Sequence, residues 1–170
     1  YNVNSFCVMK YEASGSVVPA SVSGASPWVN ISQNAAQVAC RSLGVGYDLI
    51  GNNEWMAIAN NITGTASNWS GNYIGSGILN RGHSDNNPPA ACPASSNDLN
   101  AYVETSCTAK SSSGMSYDQK RTHKLSNGAI IWDLSGNVSE WVAYTMDNTH
   151  KPFVSSIGSP GYFTDELNSV

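Results

Sequence analysis

The sequence predicts one α+β domain, with two short helices and a twisted antiparallel sheet joined by many long loops. Three observations carry this. Residues 5–12 alternate in strand fashion, with Phe6 and Val8 on one face and Cys7, Met9 and Tyr11 on the other. Two segments, 33–43 and 53–62, carry apolar residues at helical spacing. Residues 125–132, Leu-Ser-Asn-Gly-Ala-Ile-Ile-Trp, read as a hairpin with Asn127-Gly128 as a type I′ turn.

Taken in order, 5–12 is expected as a central strand and 13–27, small, polar and Pro-containing, as a loop. Ser32 suits the N-cap of the first helix. Ala36, Ala39, Cys40 and Leu43 form its buried stripe, and Gly44 its stop. The second helix has Asn52 as its cap and Glu54 in the favourable first turn. Trp55, Ile58, Ala59 and Ile62 form its stripe, and Gly64 ends it. Residues 64–122 are rich in Gly, Ser and Asn, and so long an aperiodic stretch tends to be functional or poorly ordered. Trp69, Tyr73, Ile74, Ile78 and Leu79 are expected to tack it to the core. Val142–Tyr144 are expected to continue as strand, with loop beyond.

The chemistry concentrates in Trp132-Asp-Leu-Ser-Gly-Asn-Val-Ser-Glu-Trp141. Trp132 and Trp141 are expected to pin both ends of a tight turn into the core. Ser135-Gly136-Asn137 is turn chemistry, because Gly and Asn tolerate positive φ. Asp133 and Glu140 at the margins make a cluster of hard oxygen donors of the kind that suits Ca²⁺. The alternative is a metal-free turn whose acids accept backbone N–H bonds.

This segment resembles the Gly-Asn-Val-Trp-Glu-Trp signature of the formylglycine-generating-enzyme family, also called sulfatase-modifying factors, whose fold is C-type-lectin-like. The resemblance implies a calcium ion held by Asp133, the carbonyls of Gly136 and Val138, and Glu140. Ser139 stands where the family has its first tryptophan. Glu54-Trp55 is similar to the end of the family's Arg-Leu-Pro-Thr-Glu-Ala-Glu-Trp element, although its Arg and Pro are replaced. Arg81-Gly-His-Ser-Asp85 and Arg121-Thr-His-Lys-Leu-Ser-Asn-Gly128 resemble versions found in exported, pilin-linked bacterial proteins. The resemblance covers roughly residues 5–145. The single domain, 1–170, is therefore expected to lack the C-terminal part of the family domain.

Composition narrows the class. Charged residues are 12% of the 170 and apolar residues 41%. A surface wetted by Ser and Asn instead of charges fits an exported protein. The net charge of −4 offers no basic patch for nucleic acid. No apolar run suits a membrane span. No leader segment is legible, which points to a processed or trimmed chain. The four cysteines, Cys7, Cys40, Cys92 and Cys107, lack C-x-x-C spacing. Two disulfides in an oxidising compartment are expected. Of the three connectivities, Cys7–Cys40 and Cys92–Cys107 are favoured; the alternative is four buried thiols. N-x-S/T sequons fall at Asn30, Asn61, Asn68 and Asn137, the last expected to be buried.

His83, His123 and His150 are too scattered to read as a triad or a zinc site, and are expected to be surface or hydrogen-bonded residues. Catalytic members of the family use a reactive cysteine pair beyond the calcium turn, and here the last cysteine, Cys107, precedes it. The expectation is a non-catalytic extracellular or cell-surface module for binding or display on a cell surface, filament or phage. Its ligand, protein or glycan, is not named by the sequence. A structural filament subunit, or homo-oligomer, is the alternative, and a formylglycine-generating oxidase a weaker one.

Overall fold

The structure, a computed structural model, describes residues 3–82, 97–99, 101 and 119–144. Cys92, Cys107, His83, Asp85, His150 and the segment after 144 lie outside them. Along the chain come β1 (Ala13–Ser14), β2 (Ala20–Ser21), α1 (Gln33–Arg41), α2 (Asn52–Thr63), a 3₁₀ turn (Ala66–Asn68), β3 (Thr122–Lys124) and β4 (Ile130–Trp132). The architecture is α+β, with two helices and two small antiparallel ladders, β1–β2 and β3–β4. No helix among the described residues is long and apolar enough to cross a membrane.

Both helices form where the periodicity puts them. The Ser32 hydroxyl accepts the Ala35 N–H at 3.3 Å, relieving an orphan donor at the start of α1. The N-cap of α2 is Gly51 instead of Asn52, and the Glu54 carboxylate reaches back to accept the Gly51 N–H at 2.7 Å. Ile58 and Ile62 of its stripe pack on Ile131 of β4, flanked by Ile50, Leu79, Leu125 and Leu134. Burying each isoleucine contributes roughly 1.5–3 kcal/mol.

The sheet is smaller than expected. Residues 5–12 are not a strand, although the Trp132 N–H donates to the Lys10 carbonyl at 2.8 Å, so that segment still runs beside β4. The ladder β1–β2 forms instead inside the stretch expected as a loop. The thiols of Cys7 and Cys40 are both free. The expected bridge between them needed segment 5–12 to lie in the sheet under α1, and Cys7 is exposed on a chain that does not.

The β3–β4 hairpin is present, but its turn is not type I′, which requires positive φ at both central residues. Only Gly128 is left-handed, at φ 88°. The Gly128 N–H donates to the Leu125 carbonyl at 2.9 Å, and the Leu125 N–H to that of Ala129 at 2.8 Å. This is the three-residue form, in which a glycine follows the turn as a bulge. Asn61 fixes it from α2, its amide accepting from the Ser126 N–H and donating to the Ser126 hydroxyl, each at 2.8 Å. The expected strand Val142–Tyr144 is reduced to one bridge, Ala143 with Gly51.

Much of the core is polar. Asn68, 1% exposed, donates to the carbonyls of Ile62 (3.0 Å) and Lys124 (2.8 Å) and accepts the Lys124 N–H (2.8 Å). It thereby joins the end of α2 to the outer edge of β3, and its amide cannot face solvent as a glycosylated sequon would. Trp69, Ile78 and Leu79 are half-buried as expected. Tyr73 and Ile74, 74% and 64% exposed, do not tack the loop down. Replacing Asn68 by Ala orphans buried backbone groups on two elements, at roughly 1–3 kcal/mol each. We predict that Asn68→Ala lowers the unfolding free energy by about 3 kcal/mol in urea titrations. A loss within about 0.5 kcal/mol, the range of ordinary surface substitutions, would show that Asn68 is not a joint of the fold.

Candidate functional site

The turn leaving β4 is built from left-handed residues: Asp133 (φ 54°), Gly136 (94°) and Asn137 (63°). Gly136 and Asn137 take this conformation readily, and Asp133 at a cost of about 1–3 kcal/mol. The turn is tight enough that Gly82 lies against it. A Cβ there would stand 2.9 Å from the Ser135 carbonyl oxygen, and Gly82 itself has φ 60°.

Asp133 is 5% exposed and held by Arg121. The guanidinium donates through Nε to Oδ1 at 2.6 Å and through Nη2 to Oδ2 at 2.5 Å. The Asp133 N–H donates to the Arg121 carbonyl at 2.8 Å. One arginine thus engages both carboxylate oxygens and the backbone of the same aspartate. Its guanidinium also lies 5.7 Å from the centre of the Trp132 ring. The paired carboxylate raises the Arg121 pKa further.

Two more carboxyls converge here. Glu12, from the segment beside β4, accepts a hydrogen bond from the Asn137 amide. Its Oε1 is buried with no donor in hydrogen-bonding geometry. Burial, then the charge of Asp133, pushes its pKa up to about 7. Glu140 is exposed as a residue, but its carboxyl lies near the Trp55 side chain and feels both Glu12 and Asp133. Burial of the carboxyl, then the charge of Glu12, pushes it up to about 7.

Trp132 is 7% exposed, and its indole N–H donates to Asp98 Oδ1 at 2.8 Å. Asp98 also pairs with Lys10 at 2.6 Å, and these two bonds hold its carboxyl below the usual range. Trp141 does not pin the other end in the core. It is 50% exposed and docks through its indole N–H onto the Ile31 carbonyl at 2.8 Å. Gln33 ties the same end, donating to the Val142 carbonyl at 2.6 Å. Asn137, expected inside, is exposed, because its side chain reaches outward to Glu12.

Of the expected calcium ligands, Asp133 and Glu140 are close enough for the Asp133 charge to act on the Glu140 carboxyl. The arrangement does not fit a divalent ion on Asp133. Both its oxygens face a guanidinium, and an ion there would sit against that positive charge. Nothing in the sequence singles out Arg121 among its eight Lys and Arg residues, or Glu12, as partners of this turn.

Beside the turn lies a cleft of ≈ 260 Å³. It is lined by Tyr11, Glu12, Arg121, Trp132, Asp133 and Asn137 and by the loop 22–27. Carboxylate, guanidinium and amide groups there can both accept and donate hydrogen bonds.

Behind the turn His123 is 2% exposed. Its Nε2 lies 2.6 Å from the Asn80 carbonyl, and Nδ1 has no partner. Burial lowers its pKa below the ordinary 6.5. Comparison with protein-family models, with curated proteins and with solved structures finds no match.

The two kinds of group titrate in opposite senses. The raised pKa of Glu12 and Glu140 means the folded state holds protons that the unfolded chain loses above pH 4.5. Their contribution is complete below that pH and is lost as pH rises through about 7. The lowered pKa of His123 gives a contribution complete above pH 6.5 and lost as pH falls through its folded value. We predict that Glu12→Gln recovers about 1 kcal/mol of stability at pH 8 and little at pH 5, after discounting for solvent screening. Denaturant melts at the two pH values check this, and an equal effect at both would contradict it.

Proposed function

We propose that this chain is a non-catalytic extracellular module of C-type-lectin-like, formylglycine-generating-enzyme-like type, used for binding or display on a cell surface, filament or phage. The cleft beside the Trp132–Trp141 turn carries this reading. Its lining joins the charged and amide side chains of Glu12, Arg121, Asp133 and Asn137 to a small-residue loop, which supports binding of a polar group of a protein or glycan. The charge-poor sequence supports an exported setting. The resemblance supports the lack of catalysis, because the last cysteine precedes the turn, and thiol oxidation chemistry needs a thiolate pair.

A second reading, a structural subunit of a filament, draws on Val17, Val18, Val22 and Val29. These are 75%, 57%, 52% and 50% exposed around the β1–β2 ladder. Such side chains are suited to contact between copies.

Ala25 lies on the exposed rim of the cleft. We predict that Ala25→Trp, which fills the cleft, abolishes retention on whichever member of a printed glycan array or matrix-protein panel holds the wild type. Its melting temperature should stay unchanged. Retention that survives this substitution would place binding elsewhere. Failure of both panels, with large assemblies in sedimentation velocity, would favour the filament. Conversion of a sulfatase-type cysteine peptide to formylglycine would overturn the non-catalytic reading.

A further inference from the structure

We infer that Arg121 is the built-in cation of the Trp132–Trp141 turn, taking the place that a bound calcium ion would hold, so that the turn is organised without metal.

Asp133 leaves β4 with a left-handed backbone and a carboxylate almost out of water. A carboxylate so placed needs a positive partner, since an unpaired buried charge is strongly destabilising. Arg121 meets that need in full. It engages both oxygens in a parallel fork, at 2.6 and 2.5 Å, and its own carbonyl accepts the Asp133 N–H. Calcium gathers six to eight oxygens around a sphere, whereas a guanidinium is planar and directional. The geometry around Asp133 is that of the fork.

The position of Arg121 is itself fixed. Its N–H donates to the carbonyl of Ala101, which is fully buried, and β3 begins at the next residue. Gly82 donates to the carbonyl of the preceding residue, Lys120, and backs the turn from the other side. The cation therefore arrives immediately before β3, the strand that pairs with β4. Thr122 faces Trp132 in register, which sets Arg121 beside Asp133. An ion bound from solvent would have to displace a group held this firmly. The arginine also acts electrostatically on Glu12, so one internal charge serves both the turn and the segment beside β4.

This inference stands apart from the binding reading, because it concerns what holds the turn and not what enters the cleft. Its test is thermal unfolding of the 170-residue chain in excess EDTA and in excess CaCl₂, with isothermal titration of calcium. The wild type is expected to melt at one temperature in both buffers and to show no saturable calcium heat. Arg121→Ala is expected to melt at lower temperature than the wild type in EDTA, and Arg121→Lys between them, since lysine keeps the charge but loses the fork. A wild-type melting temperature that falls in EDTA would overturn the inference. So would a saturable calcium heat that Asp133→Ala removes, or an Arg121→Ala protein that melts like the wild type. The wild-type arm decides even if the alanine variant does not fold.

Discussion

The fork between Arg121 and Asp133 is the contact on which the site depends. It lies where the hairpin β3–β4 ends and the left-handed turn begins, so it governs the direction in which the chain leaves the sheet. With side chains 25% and 6% exposed, the pair is shielded enough for attraction to matter and wet enough to soften its desolvation cost. The described residues beyond Trp132, up to residue 144, inherit this geometry. Asn137 is turned outward to Glu12, Glu140 returns to Trp55 on α2, and Trp141 docks on the chain entering α1.

Around this pair the molecule is held by specific polar contacts as much as by its apolar cluster. Ile58, Ile62 and Ile131 make a small core. Asn68, Asn80, Thr122 and His123 are buried beside it. Asn68, Thr122 and His123 Nε2 each meet a backbone carbonyl, whereas the Asn80 amide and His123 Nδ1 meet no partner, and an unmet buried group costs as much as a lost apolar contact. Near neutral pH the site has two acids that would rather be neutral and one histidine that cannot easily become charged. Its electrostatic balance is therefore narrow on both sides.

What was legible in the sequence was local. The Ser32 cap, the α2 stripe through Ile58 and Ile62, the hairpin at 125–132, and the turn conformation at Gly136 and Asn137 all follow from neighbours in the chain. What was not legible was long-range. Glu12 meets Asn137 across most of the chain, and nothing in residues 5–12 announces it. The alternation there reads as a strand, but of its backbone only Lys10 bonds to β4, so no ladder forms and Cys7 stays exposed. Asn68 lies in a stretch whose composition reads as loop, because burial of its amide depends on a carbonyl supplied by the distant strand β3. Trp141 misled for a related reason: its indole N–H finds a partner at the surface, so its ring need not be buried. The oxygen donors of the turn were legible as a cluster, but the cation they meet was not, because Arg121 is positioned by pairing of strands and not by the turn.

The most direct test of this account is a double-mutant cycle on Arg121 and Asp133, read as unfolding free energy in denaturant for the wild type, Arg121→Ala, Asp133→Ala and the double variant. If the fork organises the turn, each single change leaves the other group uncompensated, and the double variant is far less destabilised than the sum. A coupling of about 2–3 kcal/mol is predicted. Strict additivity, with coupling within about 0.5 kcal/mol, would contradict the account and return Asp133 to a role that does not need Arg121.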